Sequence, residues 1–363
     1  MALPRPNHTI HVARTAVRTA STTLVRPTGR PFWIAGIRVL LALYAPLLLG
    51  LAVNRPLLFV PVGIGALVGS LVDPGCATSR RAWTIGVTTV LAAAAFALGD
   101  LVGQTPLTAI PFVVAVVFVC GLAPEFGTAG IRGSLYVGTC ALLGIAFSGV
   151  DPGFITAPGL LVGGLWALAL AVGPFRQSGV AQCGVSSRTH ALLGNMTRHL
   201  RLDSAIARHS ARMAVTVGLA LAFSFALQRP MVTWIAGSAL AVLHPRVTAH
   251  ATRSVRLLVG TLVGGLGAIA LAQTLGPGAL LLVALAPAIF LAVSMRSVDY
   301  VTYTVTSTAF FLALSAFTAD LGWSLLDARL ADAAIGVVLA LLVSKLSMPR
   351  RERERLMEEM EAR

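Results

Sequence analysis

Residues 255–274 read VRLLVGTLVGGLGAIALAQT, twenty residues with one charge, at the second position. A helix rises about 1.5 Å per residue, so this run is about 30 Å long, the thickness of a bilayer's hydrocarbon core. Inside it, Gly260 and Gly264 stand four apart, the spacing that lets a second helix approach closely.

The pattern recurs on both sides. Five runs follow or directly precede it in the second half, at 210–227, 231–243, 279–295, 301–317 and 330–347. The first half offers six, at 36–53, 57–72, 82–101, 107–123, 127–147 and 156–173. The expected fold is all-α, a polytopic transmembrane helix bundle of about twelve spans. The run at 231–243 is short and that at 57–72 is marginal, so the full-span count lies between ten and twelve. Composition agrees. Of 363 residues 56% are hydrophobic and 12% charged, too little charge to cover a soluble domain of this size. Mean hydropathy is +0.83.

The chain holds 28 basic against 14 acidic residues, a net charge of +14. Such a balance can mean nucleic acid. Here the arginines sit in short loops between apolar runs rather than in one patch, which excludes that partner class. Alternate loops contain only Arg55, Arg229 and Arg329; the other 25 basic residues fall on the opposite side. Cytoplasmic loops collect Lys and Arg, so both termini are expected in the cytoplasm and the chain in the cell membrane.

The halves echo each other. Asn54-Arg55-Pro56 and Gln228-Arg229-Pro230 are 174 residues apart, as are Arg38 and Arg212, and Gly86 and Gly260. Pro111 and Pro287 fall at nearly the same offset. Two six-helix repeats enter from the same side and are parallel, related by an axis along the membrane normal. The resulting plan is a basic segment at 1–35, a first repeat at 36–174, a linker with an amphipathic helix at 175–209, a second repeat at 210–347 and a charged tail at 348–363.

Catalytic patterns are missing. No GxxxxGK[ST], HExxH or CxxC occurs, and the seven histidines are scattered. No cofactor, metal site or catalytic residue is expected, and the chain is not read as an enzyme. Cys76, Cys120, Cys140 and Cys183 are read as unpaired. The interest lies in charge near the membrane. Arg38, Arg212 and Arg256 stand at inner helix ends, Arg55, Arg229 and Arg329 at outer ends. Facing a pathway they form cationic vestibules for anions; facing headgroups they merely snorkel. Asp299 and Asp332 are expected at the starts of the eleventh and twelfth spans, with no acid in mid-membrane. They are the candidates for ion coupling. In the polar eleventh span, Tyr303 and Thr306 either line a solute path or belong to a set of hydroxyls bonding back to their own helix. Pro46, Pro61, Pro111 and Pro287 are expected to break helices. Gly65xxxGly69, Gly159xxxGly163 and Gly260xxxGly264 read as packing faces.

Arg212, Arg229-Pro230 with Trp234, Arg256 with Gly260-Thr261 and Gly264, the Tyr/Thr-rich span, and Arg329-Leu-Ala-Asp332 with Gly336 together resemble a known pattern. It is that of the membrane domain of the fusaric acid resistance and aromatic acid exporter family, itself distantly similar to plant aluminium-activated malate transporters. The likeness covers about residues 210–350; the first half resembles it only as a degenerate copy. It implies export of small organic anions, aromatic ones included. On it Arg212, Arg229, Trp234, Arg256, Tyr303, Thr306, Arg329 and Asp332 become candidate substrate contacts. The bilayer and the anion are the expected partners, and a homo-oligomer is left open. A channel-like anion pore and a non-transporting membrane scaffold are the alternatives.

Overall fold

The computed structural model describes residues 32–73, 78–123, 127–149, 153–174, 205–229, 231–243, 249–276, 279–295, 299–315 and 323–347. The basic segment up to residue 31, most of the linker and the charged tail lie outside them. The described residues form twelve helices and no strand. In chain order these are α1 (Trp33–Ala52), α2 (Pro56–Val72), α3 (Thr78–Val102), α4 (Pro106–Gly121), α5 (Gly127–Phe147), α6 (Gly153–Val172), α7 (Ala205–Ala226), α8 (Trp234–Val242), α9 (Ala249–Leu275), α10 (Ala279–Met295), α11 (Tyr300–Ser315) and α12 (Trp323–Leu346).

Five stretches are long and apolar enough to cross a bilayer: Trp33–Ala52, Thr78–Val102, Ala129–Phe147, Ile206–Ala226 and Arg253–Leu275. Leu58–Val72, Pro106–Gly121, Thr156–Val172 and Val283–Met295 are shorter apolar helices. Helix α8 has only nine residues. At about 14 Å it reaches halfway across hydrocarbon at most, so the run at 231–243 is not a full span. Large apolar side chains face outward, among them Leu107 at 83% and Leu101 at 76% exposure. In water such a surface would aggregate; against lipid tails it is at home. This is a multi-pass membrane protein.

The sequence dictates where several helices begin and end. Pro56 and Pro106 open α2 and α4, where a missing N–H costs nothing. Helices α1 and α7 end alike. Asn54 and Gln228 take φ of 55° and 48°, the left-handed conformation. Arg55 N–H then reaches Gly50 O at 2.8 Å, and Asn54 N–H reaches Leu51 O at 3.1 Å. In the second corner Arg229 N–H meets Ser224 O and Gln228 N–H meets Phe225 O, both at 3.1 Å. Each pair is a Schellman closure, followed by a proline that cannot continue the helix.

Two sequence expectations need correction. Pro46, Pro61, Pro111 and Pro287 do not break their helices: α1, α2, α4 and α10 run through them, as α6 runs through Pro158. Neighbouring helices and local adjustment can satisfy the carbonyl a proline frees, so the break is not obligatory. Asp332 does not start the last helix. Helix α12 begins at Trp323, which puts Asp332 well inside it.

The chain divides into two compact units. The larger holds α2 to α8, most of α1 and the second part of α12; the smaller holds α9 to α11, the start of α1 and the first part of α12. Small residues set the helix spacing in each. In the larger unit α2 lies on α6 through both expected glycine faces. A Cβ at Gly159 would stand 2.7 Å from Pro61 Cβ, one at Gly163 would run into Val62 O, and one at Gly65 into Leu160 O. Val68, Ala92, Ala93, Phe96, Cys140 and Leu160 form a buried cluster beside this seam. In the smaller unit α9 meets α11, where a Cβ at Gly260 would stand 2.6 Å from Thr304 Cβ and one at Gly264 would strike Val305 O.

Candidate functional site

The second left-handed corner positions the most informative charge. Once Gln228 has turned the chain, Arg229 Nε donates to Asp332 Oδ1 at 2.7 Å, across 103 residues of sequence. Asp332 is fully buried and the Arg229 side chain is 24% exposed. Five residues after Arg229, Trp234 opens α8. That short helix lies against α12: a Cβ at Gly336 would be 2.5 Å from Ile235 O and 2.9 Å from Ser238 Cβ. Arg229, Trp234, Asp332 and Gly336, two short motifs far apart in the chain, therefore belong to one place in the larger unit. A carboxylate this deep is stable only against a partner charge, and the guanidinium supplies it.

A second buried ionic group lies in the same unit, and the sequence reading passed over it. Asp73, just past α2, accepts from Arg38 Nη1 of α1 and bidentately from Arg81 of α3, Nε to Oδ1 at 2.9 Å and Nη2 to Oδ2 at 2.6 Å. Arg38 Nη2 also reaches Ser70 O at 3.2 Å, and Arg132 Nη1 of α5 reaches Asp73 O at 3.3 Å. Arg38, Asp73 and Arg81 are all buried. Four helices are thus tied at one end by a single carboxylate and its backbone. Arg212, also buried, sits in α7. It precedes Arg229 by 17 residues, about 25 Å along a helix, so the two cannot meet at one point.

The smaller unit holds the other candidates. Asp299 caps α11: its Oδ1 accepts Val301 N–H at 3.1 Å, and its Oδ2 accepts Thr302 N–H at 3.0 Å and the Thr302 hydroxyl at 2.5 Å. Burial alone would raise its pKa. The Thr302 hydroxyl, the two N–H groups and the charge of Arg256 outweigh that and hold the carboxyl below its ordinary value. Both oxygens are engaged in capping the start of α11, a structural duty. The hydroxyls of α11 bond back to their own helix: Thr304 to Tyr300 O at 2.8 Å, Thr306 to Thr302 O at 2.6 Å, Ser307 to Thr304 O at 3.2 Å. Between a solute-lining and a back-bonded Thr306, the geometry favours the second. The aromatic side of this helix is different. Arg253 lies 5.0 Å over the Tyr300 ring, and the Tyr300 and Tyr303 rings are 5.8 Å apart. Arg253 and Tyr300 went unnoticed as a pair because the contact links two helices. Arg329 lies in the first part of α12, half-buried.

Cys120 and Cys140 are free and buried. Among the described residues no three His, Cys, Asp or Glu side chains group closely enough to hold a metal ion.

Residues 218–343 match a protein family described as fusaric acid resistance protein-like. That stretch contains Arg229, Trp234, Arg256, Tyr303, Thr306, Arg329 and Asp332, so the fusaric acid resistance likeness read from this half holds there. The chain is also 30% identical, over 177 residues, to an uncharacterized protein of Synechocystis; the match covers 48% of this chain and 23% of that protein. No solved structure matches.

Proposed function

We propose, from a second half that is fusaric acid resistance protein-like, that this protein carries small organic anions out of the cell across the cytoplasmic membrane. The family match over residues 218–343 supports a role in membrane transport or resistance. The Arg229–Asp332 pair carries the finer reading. A guanidinium partly open to its surroundings, held beside a wholly buried carboxylate in an otherwise apolar helical protein, is an anion contact kept ready by an internal counter-ion. Arg256 and Arg253, with Tyr300 and Tyr303, offer a second place where charge adjoins aromatic faces, suited to an aromatic carboxylate. Arg212, Trp234 and Arg329 remain candidate contacts, whereas Thr306 is bonded back to its own helix, and Asp332 is the better-placed candidate for coupling, since Asp299 is a cap.

The matching corners at Asn54 and Gln228 support two parallel repeats, and the arginine asymmetry supports cytoplasmic termini. The test is efflux from proteoliposomes loaded with benzoate or malate. Arg256→Ala should lower the rate at least tenfold with folding intact, and Arg229→Lys, which keeps a positive charge beside buried Asp332, should lower it as well. Liposomes that release neither anion faster than protein-free ones would overturn the reading. Unitary currents in planar bilayers would move it to a channel.

A further inference from the structure

Many hydroxyls in these helices bond back to their own turn. Thr139 donates to Leu135 O at 2.8 Å, Thr216 to Arg212 O at 2.7 Å and Thr274 to Ala270 O at 2.8 Å. Thr89, at the middle of α3, does not. It is buried, and its Oγ1 has no hydrogen-bond partner in the protein. Packing holds the side chain in place: a Cβ at Gly164 of α6 would run into both Thr89 Cγ2 and Thr89 Oγ1. A hydroxyl left unmet at this depth is costly, because bulk water does not reach it.

That residue borders a cavity of about 10 Å³ where four helices of the larger unit meet. Gly65 and Val68 of α2, Thr89 and Ala92 of α3, Cys140 of α5 and Leu160 of α6 line it. The volume is that of one water-sized sphere. Three polar groups stand among these residues. One is the unmet Thr89 hydroxyl. A second is the Cys140 thiol, which is free and buried. The third is Leu160 O, which faces Gly65 so closely that a Cβ there would run into it. A helical carbonyl has two lone pairs and can accept a second bond. We propose that this cavity is a binding site for one water molecule, bonded to the Thr89 hydroxyl and the Leu160 carbonyl and more weakly to the Cys140 thiol. The volume excludes anything larger, and a lining without a charged side chain gives an ion nothing to pair with. The water bridges a side chain of α3 to the main chain of α6, and it meets the one hydroxyl that α3 leaves open at its centre. Gly65 and Gly164 are the residues whose missing Cβ atoms leave room for this arrangement. The proposal is independent of the transport reading above.

The experiment uses the full chain in detergent. A density map that resolves ordered water elsewhere in the protein should show one peak in this cavity, within about 3 Å of Thr89 Oγ1. Thr89→Val keeps the shape of the side chain and removes the hydroxyl. With water in place the change deletes a bonding partner, so the variant should melt at a lower temperature than the wild type. In a dry cavity the same change removes an unmet hydroxyl, and the variant should melt higher. An empty cavity in the wild-type map, or a Thr89→Val variant that melts higher than the wild type, overturns the proposal. Should Thr89→Val fail to fold, the wild-type map alone decides.

Discussion

At Asp73 one carboxylate faces Arg38 and Arg81, both removed from solvent. Breaking a buried pair by deleting one member leaves the other charge without its counter-ion, at a cost of about 3–5 kcal/mol. Asp73→Asn should lower the detergent melting temperature sharply and reduce the folded yield, with little effect from Arg55→Gln at the exposed corner. Equal melting curves for the two variants would show that the cluster is not structural. Asp299 makes a milder prediction. Its pKa is lowered in the folded state, so its contribution is complete above the ordinary carboxylate range and is lost as pH falls through the lowered value. Asp299→Ala should cost about 1 kcal/mol at neutral pH as a lost cap, with the deficit shrinking in acid. A deficit that grows on acidification would contradict this capping role.

Between elements, contact is governed by what is missing from side chains. Helix α9 meets α11 where Gly264 faces Val305 O, whereas Gly267, one turn on, has nothing within 4 Å of where its Cβ would be. Gly264→Leu should destabilise by about 1–3 kcal/mol through overpacking, and Gly267→Ala should be neutral or gain up to about 1 kcal/mol from helix propensity. Thermal unfolding of the pair, compared by tryptophan fluorescence, separates a packing glycine from an idle one. The corners can be probed the same way. Gln228 holds a positive φ that L side chains resist, so Gln228→Gly should be tolerated or slightly stabilising, and Gln228→Val should cost about 1–2 kcal/mol. These closures were visible beforehand as a repeated x-Arg-Pro, but not as left-handed turns, because Asn and Gln are not the usual glycine signal.

For the molecule as a whole, the controlling fact is the apolar exterior of the described helices. Extraction should require detergent, and the purified chain should precipitate on its removal. Reporter fusions at residue 1 and residue 363 should fall on the same, cytoplasmic, side; ends on opposite sides would refute the span parity and the repeat reading together. The short α8 bears on this count, since a nine-residue helix that does not cross must be balanced by another element that does not.

Hydropathy and arginine spacing determined the helical class and the membrane setting, because lipid demands long apolar runs and the demand is written residue by residue, and the four-residue spacing of glycines marked the packing faces. The family likeness was equally legible from Arg229, Trp234 and Asp332. Tertiary structure decided who meets whom. Asp332 looked like the first residue of a span because Asp327 and Arg329 interrupt the apolar run before it, yet charges do not stop a helix, and α12 starts at Trp323. Asp73 drew no notice in the sequence. Its partners stand 35 and 8 positions away, and a counter-ion is chosen by folding, since Coulomb attraction acts over ångströms in space and is blind to separation along the chain.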